Sequence, residues 1–150
     1  MDSDSDSDSD NSSESGESNG EWLKEALQRI KVNDPQIKWL AGAGENLEDM
    51  SDEEWEELGR DISNNNHVER VEIFDRVNDH EMSCLCRGLT GSRSIKNMDL
   101  SQNGFSAAGI KSMVPFLHNA TNLQHLDLDD NNIQSAGFKK LFRALRNSPI

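Results

Sequence analysis

Apolar residues after Trp22 recur with two periods in alternation. Trp22, Leu23, Ala26, Leu27 and Ile30 follow helical spacing and predict an amphipathic helix over residues 21–31, ended by Asn33-Asp34-Pro35. Short extended runs then return. Val68-x-x-Val71-x-Ile73, Ile95-x-x-Met98-x-Leu100 and Leu123-x-x-Leu126-x-Leu128 share one apolar spacing, and Ile37-x-x-Leu40-x-Gly42 follows it weakly. Between the runs lie helical stripes. Met82, Leu85, Cys86 and Leu89 recur as Ile110, Met113, Val114 and Leu117, and again as Phe138, Leu141, Phe142 and Leu145. Strand starts are therefore expected near residues 37, 68, 95 and 123, spaced by 31, 27 and 28.

Each unit reads strand, turn, helix. One unit cannot bury both the strand's apolar residues and the helix's stripe, so neighbours must stack. The expectation is an α/β solenoid of about four repeats, with a parallel sheet lining the concave side and helices outside. Ser51-Asp-Glu-Glu54 forms a capping box for the helix carrying Trp55, Leu58 and Ile62, and Met50 and Trp55 are placed as its hydrophobic staple. Asn103 and Asn131 stand where the chain leaves the strand and are expected to form a structural ladder, bonding backbone groups left without partners. Glu45 and Arg76 are near that position in the earlier repeats, whose turns should differ.

Charge divides the chain further. Of the net charge of −13, residues 1–20 carry −7 and residues 45–57 carry −8, whereas residues 60–150 carry +1. Residues 1–20 are Ser, Asp, Glu, Asn and Gly with nothing apolar after Met1, and are expected to be disordered. Ser3, Ser5 and Ser7 each precede an acid by three residues and suit an acidophilic kinase. Residues 21–36 form an N-terminal capping helix and turn, and 37–150 the repeats. No basic face favours nucleic acid, no apolar run is long enough to span a membrane, and the acidic N-terminus is unlike a secretory leader. A cytoplasmic or nuclear location follows, with Cys84 and Cys86 reduced on different faces of one helix.

The stretches IKNMDLSQNGFSAAG and LQHLDLDDNNIQSAG resemble leucine-rich repeats of the ribonuclease-inhibitor-like class. That resemblance implies a right-handed β-α horseshoe that binds proteins. The entry segment LKEALQRIKVNDPQIKWL is similar to the start of the repeat domain in tropomodulins, which cap actin filaments. Repeats of this class also form GTPase-activating proteins for a small nuclear-transport GTPase. The function expected first is a non-catalytic interaction scaffold. Regulation of a small GTPase and capping of actin pointed ends are the alternatives.

Strand alternation gives the candidate binding face. Its first row is Trp39, Arg70, Asn97 and His125. Its second is Ala41, Glu72, Asp99 and Asp127. Its third is Ala43, Phe74, Ser101 and Asp129, with Asp130 beside it. Like charges abreast on a sheet are unfavourable, so the row Glu72, Asp99, Asp127 points to a basic partner, with Trp39 and Phe74 as aromatic anchors. One carboxylate per strand does not build a calcium site. Neither catalytic nor cofactor-binding residues are expected. His67, His80, His118 and His125 show no paired metal-ligand spacing, His125 with Asp127 is only part of a triad, and Gly42-Ala-Gly44 lacks the Lys-Ser/Thr of a phosphate loop. With no polar cap after the last helix, truncation or dimerisation through the final strand's edge is expected.

Overall fold

The computed structural model describes residues 19–44, 47–75 and 77–147. Ser3, Ser5, Ser7 and nearly all of the acidic tail lie outside them, as do Glu45 and Arg76. Helices and strands alternate: α1 (Asn19–Lys31), β1 (Trp39–Ala43), α2 (Asp52–Asn64), β2 (Arg70–Phe74), α3 (Asp79–Gly88), β3 (Asn97–Asp99), α4 (Ala107–Asn119), β4 (His125–Asp127) and α5 (Gln134–Arg146). The strands form one parallel sheet in the order β1-β2-β3-β4. The core lies between sheet and helices and is continuous from Leu23 to Ala144. This is the stacked α/β arrangement, with a parallel sheet on one side and helices on the other, that the periodicity predicts.

Each strand begins two residues after its first apolar residue. Ile37, Val68, Ile95 and Leu123 are buried ahead of the ladder and serve as plugs beneath it. The ladder opens the same way each time. The carbonyl of Lys38 accepts from the N–H groups of Glu69 and Arg70, that of Glu69 from Lys96 and Asn97, and that of Lys96 from Gln124 and His125, at 2.8–3.1 Å. Three residues before each plug, an oxygen closes the loop. Asn65, 2% exposed, accepts from Val68 N–H through Oδ1 (2.8 Å) while its Nδ2 donates to the Ile30 carbonyl (3.0 Å). Ser92 Oγ accepts from Ile95 N–H at 3.2 Å. At Ala120, which has no side-chain oxygen, the backbone carbonyl accepts from Leu123 N–H instead, also at 3.2 Å.

The strand exits repeat as closely. Gly44, Asp75, Gln102 and Asp130, each three residues past the middle concave row, all have positive φ. The residue that follows in the last two repeats is asparagine. Asn103 Nδ2 donates to the carbonyls of Ile73, Leu100 and Ser101, and its Oδ1 accepts from Val77 N–H at 2.8 Å. Asn131 repeats the donations, to Leu100, Leu128 and Asp129. Its buried Oδ1 has no hydrogen-bond partner. Each asparagine thus bonds carbonyls in its own repeat and in the one before.

Among the described residues, side chains cap α2, α3 and α4. Ser51 and Glu54 form the capping box on α2, Asn78 and Glu81 form a second on α3, and Ser106 caps α4. Asp79 ties α3 to α4. Its carboxylate accepts from Ser106 N–H, Ser106 Oγ and Gly109 N–H, each at 2.7 Å. Ala107 stands one repeat later, 28 residues on, and cannot do this. The counterpart of the Ser106 cap is Gln134, and α5 has Ile133 at its N-cap with no side-chain cap. Helices α2 and α3 touch backbone to backbone. A Cβ on Gly59 would overlap the Leu85 carbonyl and lie 2.7 Å from Leu89 N. One on Gly88 would overlap the Glu56 carbonyl and lie 2.6 Å from Arg60 N.

Two expectations about buried positions need correction. Phe138 and Phe142 match core positions of the helical stripe, yet they are 47% and 67% exposed. In α3 and α4 the neighbouring helix on the far side covers those positions, and among the described residues no helix follows α5. Ser101, expected on the concave surface, is 8% exposed. The β2–β3 and β3–β4 pairings end at the second row, so Ser101 lies in the exit turn beneath Asp99, whose Oδ1 accepts its N–H at 3.0 Å.

The close α2–α3 approach predicts that Gly59→Ala or Gly88→Ala destabilises the chain by about 1–3 kcal/mol or more, since the obstructing atoms are backbone. Urea unfolding of each variant checks this. Asp79 provides a pH test. Burial acts to raise its pKa, but the hydrogen bonds from Ser106 and Gly109 outweigh it and hold the carboxyl below its ordinary value. Its stabilisation is therefore fully present above the unfolded pKa near 4 and is lost as pH falls through the lower folded value. Asp79→Ala should cost about 1–3 kcal/mol at neutral pH. It should also flatten the acid limb of a Tm-against-pH curve.

Candidate functional site

The sheet register assembles the concave rows across the strands. Trp39, Arg70, Asn97 and His125 pair in one line, and Ala41, Glu72, Asp99 and Asp127 in the next. Neighbours in a row are about 4.8 Å apart along the sheet. A shallow depression of about 360 Å³ is lined by Arg70, Glu72, Asn97, Met98, Asp99, His125 and Asp127. Phe74 pairs with Ala43 at the far end of β2 and is half-buried. Asp129 is exposed beyond the end of β4. Trp39 is 45% exposed on the edge strand and lies outside the depression.

The middle row's charges are partly engaged. Glu72 Oε1 lies 3.6 Å from Arg70 Nη1 on the same strand. Asp99 Oδ1 accepts from Ser101 N–H and Asp127 Oδ1 from Asp129 N–H, both at 3.0 Å. These two aspartates thus close the strand-exit turns, a local reason for Asp at both positions. Each keeps its second carboxylate oxygen for other contacts. One row earlier the charges interleave. Lys38, Glu69, Lys96 and Gln124 enter the four strands in sequence, and Lys96 Nζ bonds Glu69 Oε2 at 2.8 Å. That hydrogen bond, with the positive charges of Lys96 and Lys38, holds the Glu69 carboxyl below its ordinary pKa. The acidic row lacks such alternation.

The structure adds a partner that spacing did not reveal. Trp22 of α1 stacks against Trp39, ring centroids 5.6 Å apart and planes tilted by 50°. Trp22 is 37% exposed, so the first residue of the α1 stripe stays outside the core that Leu23, Ala26 and Ile30 enter. The two indoles form one aromatic surface at the β1 edge. A sequence-only signal existed in the rarity of tryptophan here, three residues in the chain, but their juxtaposition depends on how α1 packs over β1.

One cluster of potential metal ligands lies on the helical side. Asp52, His80 and Cys84 bring three donor atoms within 4.8 Å of one another. His80 Nε2 is 2.8 Å from Asp52 Oδ1, and Cys84 Sγ is 3.9 Å from His80 Nε2. Cys84 and Cys86 are both buried free thiols. Burial raises both pKa values, that of Cys86 to about 12. For Cys84 the nearby Arg87 opposes the rise. Among the described residues, no helix is long and apolar enough to cross a membrane.

Comparison with known proteins agrees with this geometry. A family model described as leucine-rich repeat matches residues 119–142, spanning β4 and most of α5. No curated protein matches the sequence. A solved structure of leiomodin-1 actin-binding site 2 is similar with a TM-score of 0.69 at 18% identity, covering 84% of this chain and 73% of that one. The tropomodulin C-terminal domain of Caenorhabditis elegans is similar with a TM-score of 0.50 at 14% identity, covering 83% and 92%. At such identities the likeness speaks for the fold, and with the repeat pattern, the parallel register and the family match it gives the chain a leucine-rich-repeat fold.

Proposed function

We propose that this chain is a non-catalytic protein-binding module that receives a basic partner on its concave face. The observation that carries the reading is the register of Glu72, Asp99 and Asp127, three carboxylates abreast in one depression. Their mutual repulsion is relieved when a Lys or Arg of a partner enters between them. Arg70, Asn97 and His125 form a polar margin to that row. Trp39 and Phe74 supply apolar area on the same face, and Asp129 extends the negative potential past β4. Dimerisation through the β4 edge remains a competing use of the sheet, distinguished by sedimentation of the purified chain.

A second reading is favoured by the structural neighbours, one of which is titled an actin-binding site. In it the partner is actin and the repeats cap or bind the filament. A pyrene-actin assay of pointed-end elongation, paired with co-sedimentation, decides it. Slowed elongation at micromolar protein is the expected result of this reading, and an unchanged rate with no co-sedimentation dismisses it.

The basic-partner reading has its own test. An array of Lys/Arg-rich peptides probed with the wild-type chain should give binders. Asp99→Lys combined with Asp127→Lys should weaken them by about 10-fold or more, since like charges would face each other across the interface. Because both aspartates close exit turns, Glu72→Lys serves as a companion that leaves those turns intact. Undiminished binding by all these variants removes the acidic row from the site.

A further inference from the structure

The side chains of Asp52, His80 and Cys84 come from two successive helices and meet at one end of the α2–α3 pair. Asp52 is the first residue of α2, and His80 and Cys84 lie one helical turn apart on α3. Residues four apart on a helix project on the same side, so the imidazole and thiol face one point. Asp52 reaches it from the neighbouring repeat because Gly59 and Gly88 let the two helices approach in backbone contact. Asp52 and His80 are exposed, while Cys84 is buried. The cluster is thus closed on the protein side by sulfur and open to solvent on the other.

These donors are chemically distinct, and the mixture is informative. A thiolate, an imidazole and a carboxylate together are the donor set of zinc and its borderline neighbours, not of calcium or magnesium, which take oxygen. Tetrahedral zinc with bonds of about 2.0–2.3 Å puts ligand atoms about 3.3–3.6 Å apart. The observed separations are 2.8 Å for Asp52 Oδ1 to His80 Nε2 and 3.9 Å for His80 Nε2 to Cys84 Sγ. The Asp52 and Cys84 donor atoms lie within 4.8 Å of each other, so side-chain movements of about 1 Å bring all three to coordination distance. Around the cluster, Arg87 would oppose a dication, but its Nε is bonded to Glu56 Oε2 at 2.9 Å, which offsets its charge.

We propose that Asp52, His80 and Cys84 form a zinc-binding site that clamps the α2 repeat to the α3 repeat, with water in the fourth position. On binding, Zn²⁺ takes the place of the Cys84 thiol proton, which passes to solvent, and accepts the imidazole Nε2 lone pair and one Asp52 oxygen. No electron is transferred. The consequence is mechanical: the metal adds a tie between helices α2 and α3, which otherwise meet through backbone packing, the Arg87–Glu56 pair and the Ser63–Gly88 and Asp52–His80 hydrogen bonds. None of its three ligands lines the concave depression, so it does not depend on the identity of the protein partner.

The test is equilibrium dialysis of the full chain against zinc chloride, repeated with cobalt chloride to read the thiolate-to-cobalt charge-transfer band. The wild type should bind one equivalent, gain Tm on binding and show the band. Loss of a direct ligand should weaken binding by at least the 10–100-fold typical of outer-shell changes. Cys84→Ser should also abolish the band, while Cys86→Ala should leave both intact. His80→Gln separates structure from coordination, since an amide can keep the hydrogen bond to Asp52 without supplying imidazole. It should weaken zinc binding as Cys84→Ser does while the metal-free Tm stays near wild type. No stoichiometric binding by the wild type would overturn the proposal. So would wild-type affinity retained by both Cys84→Ser and His80→Gln, which would assign the metal to scattered surface carboxylates.

Discussion

One mismatch of dimensions governs this molecule. Adjacent parallel strands must lie about 4.8 Å apart to share hydrogen bonds, whereas packed helices sit about 8–10 Å apart. Every repeat contributes one of each, so strands gather on the inside and helices spread outside. The stack cannot be flat. Close helix contact reduces the mismatch where it is allowed, at Gly59 and Gly88. Everything else accommodates the same geometry: the plug residues beneath the ladder, the positive-φ exits and the asparagines that bridge successive turns. Where the described stack ends, at α5, the same logic leaves Phe138 and Phe142 uncovered.

Polar groups in this fold serve as connectors between repeats. Asn65 joins the end of α1 to the loop before β2, Ser94 Oγ donates to the Asn65 carbonyl at 2.9 Å, and Asp79 joins α3 to the start of α4. Each satisfies backbone groups that the ladder and helices leave open. Ion pairs repeat the theme on the surface, as Lys31 with Glu57 and Arg87 with Glu56. The latter pairs involve exposed side chains and contribute little stability. Their value is in fixing how one repeat sits on the next, and so in fixing the concave rows.

Charge is sorted along the stack. Helix α2 carries six acids, while α4 and α5 together carry five Lys or Arg and no acid. On the sheet, the entry row alternates sign and the middle row does not. Alternation stabilises, so its absence in Glu72, Asp99 and Asp127 is the less expected arrangement, even though two of these residues also close turns. The concave face and the Asp52–His80–Cys84 cluster are therefore separate resources, one shaped by register and the other by helix packing.

The repeat period of about 28 residues, the order of elements and the first two concave rows were legible in the sequence. The reason is that strand alternation and helical stripes are local, and a repeated local pattern admits one way of stacking. The capping box at Ser51 was legible for the same reason. Tertiary structure alone decided what depends on two repeats meeting. The Gly59–Gly88 contact, the Asp79 tie and the Trp22–Trp39 stack join residues 29, 27 and 17 apart, with no periodic signal to mark them. The exposure of Phe138 was hidden because its position in the pattern is a core position, and only the neighbouring helix makes it one. The ligand cluster was hidden because His80 and Cys84 gain their third donor, Asp52, from another helix 28 residues away.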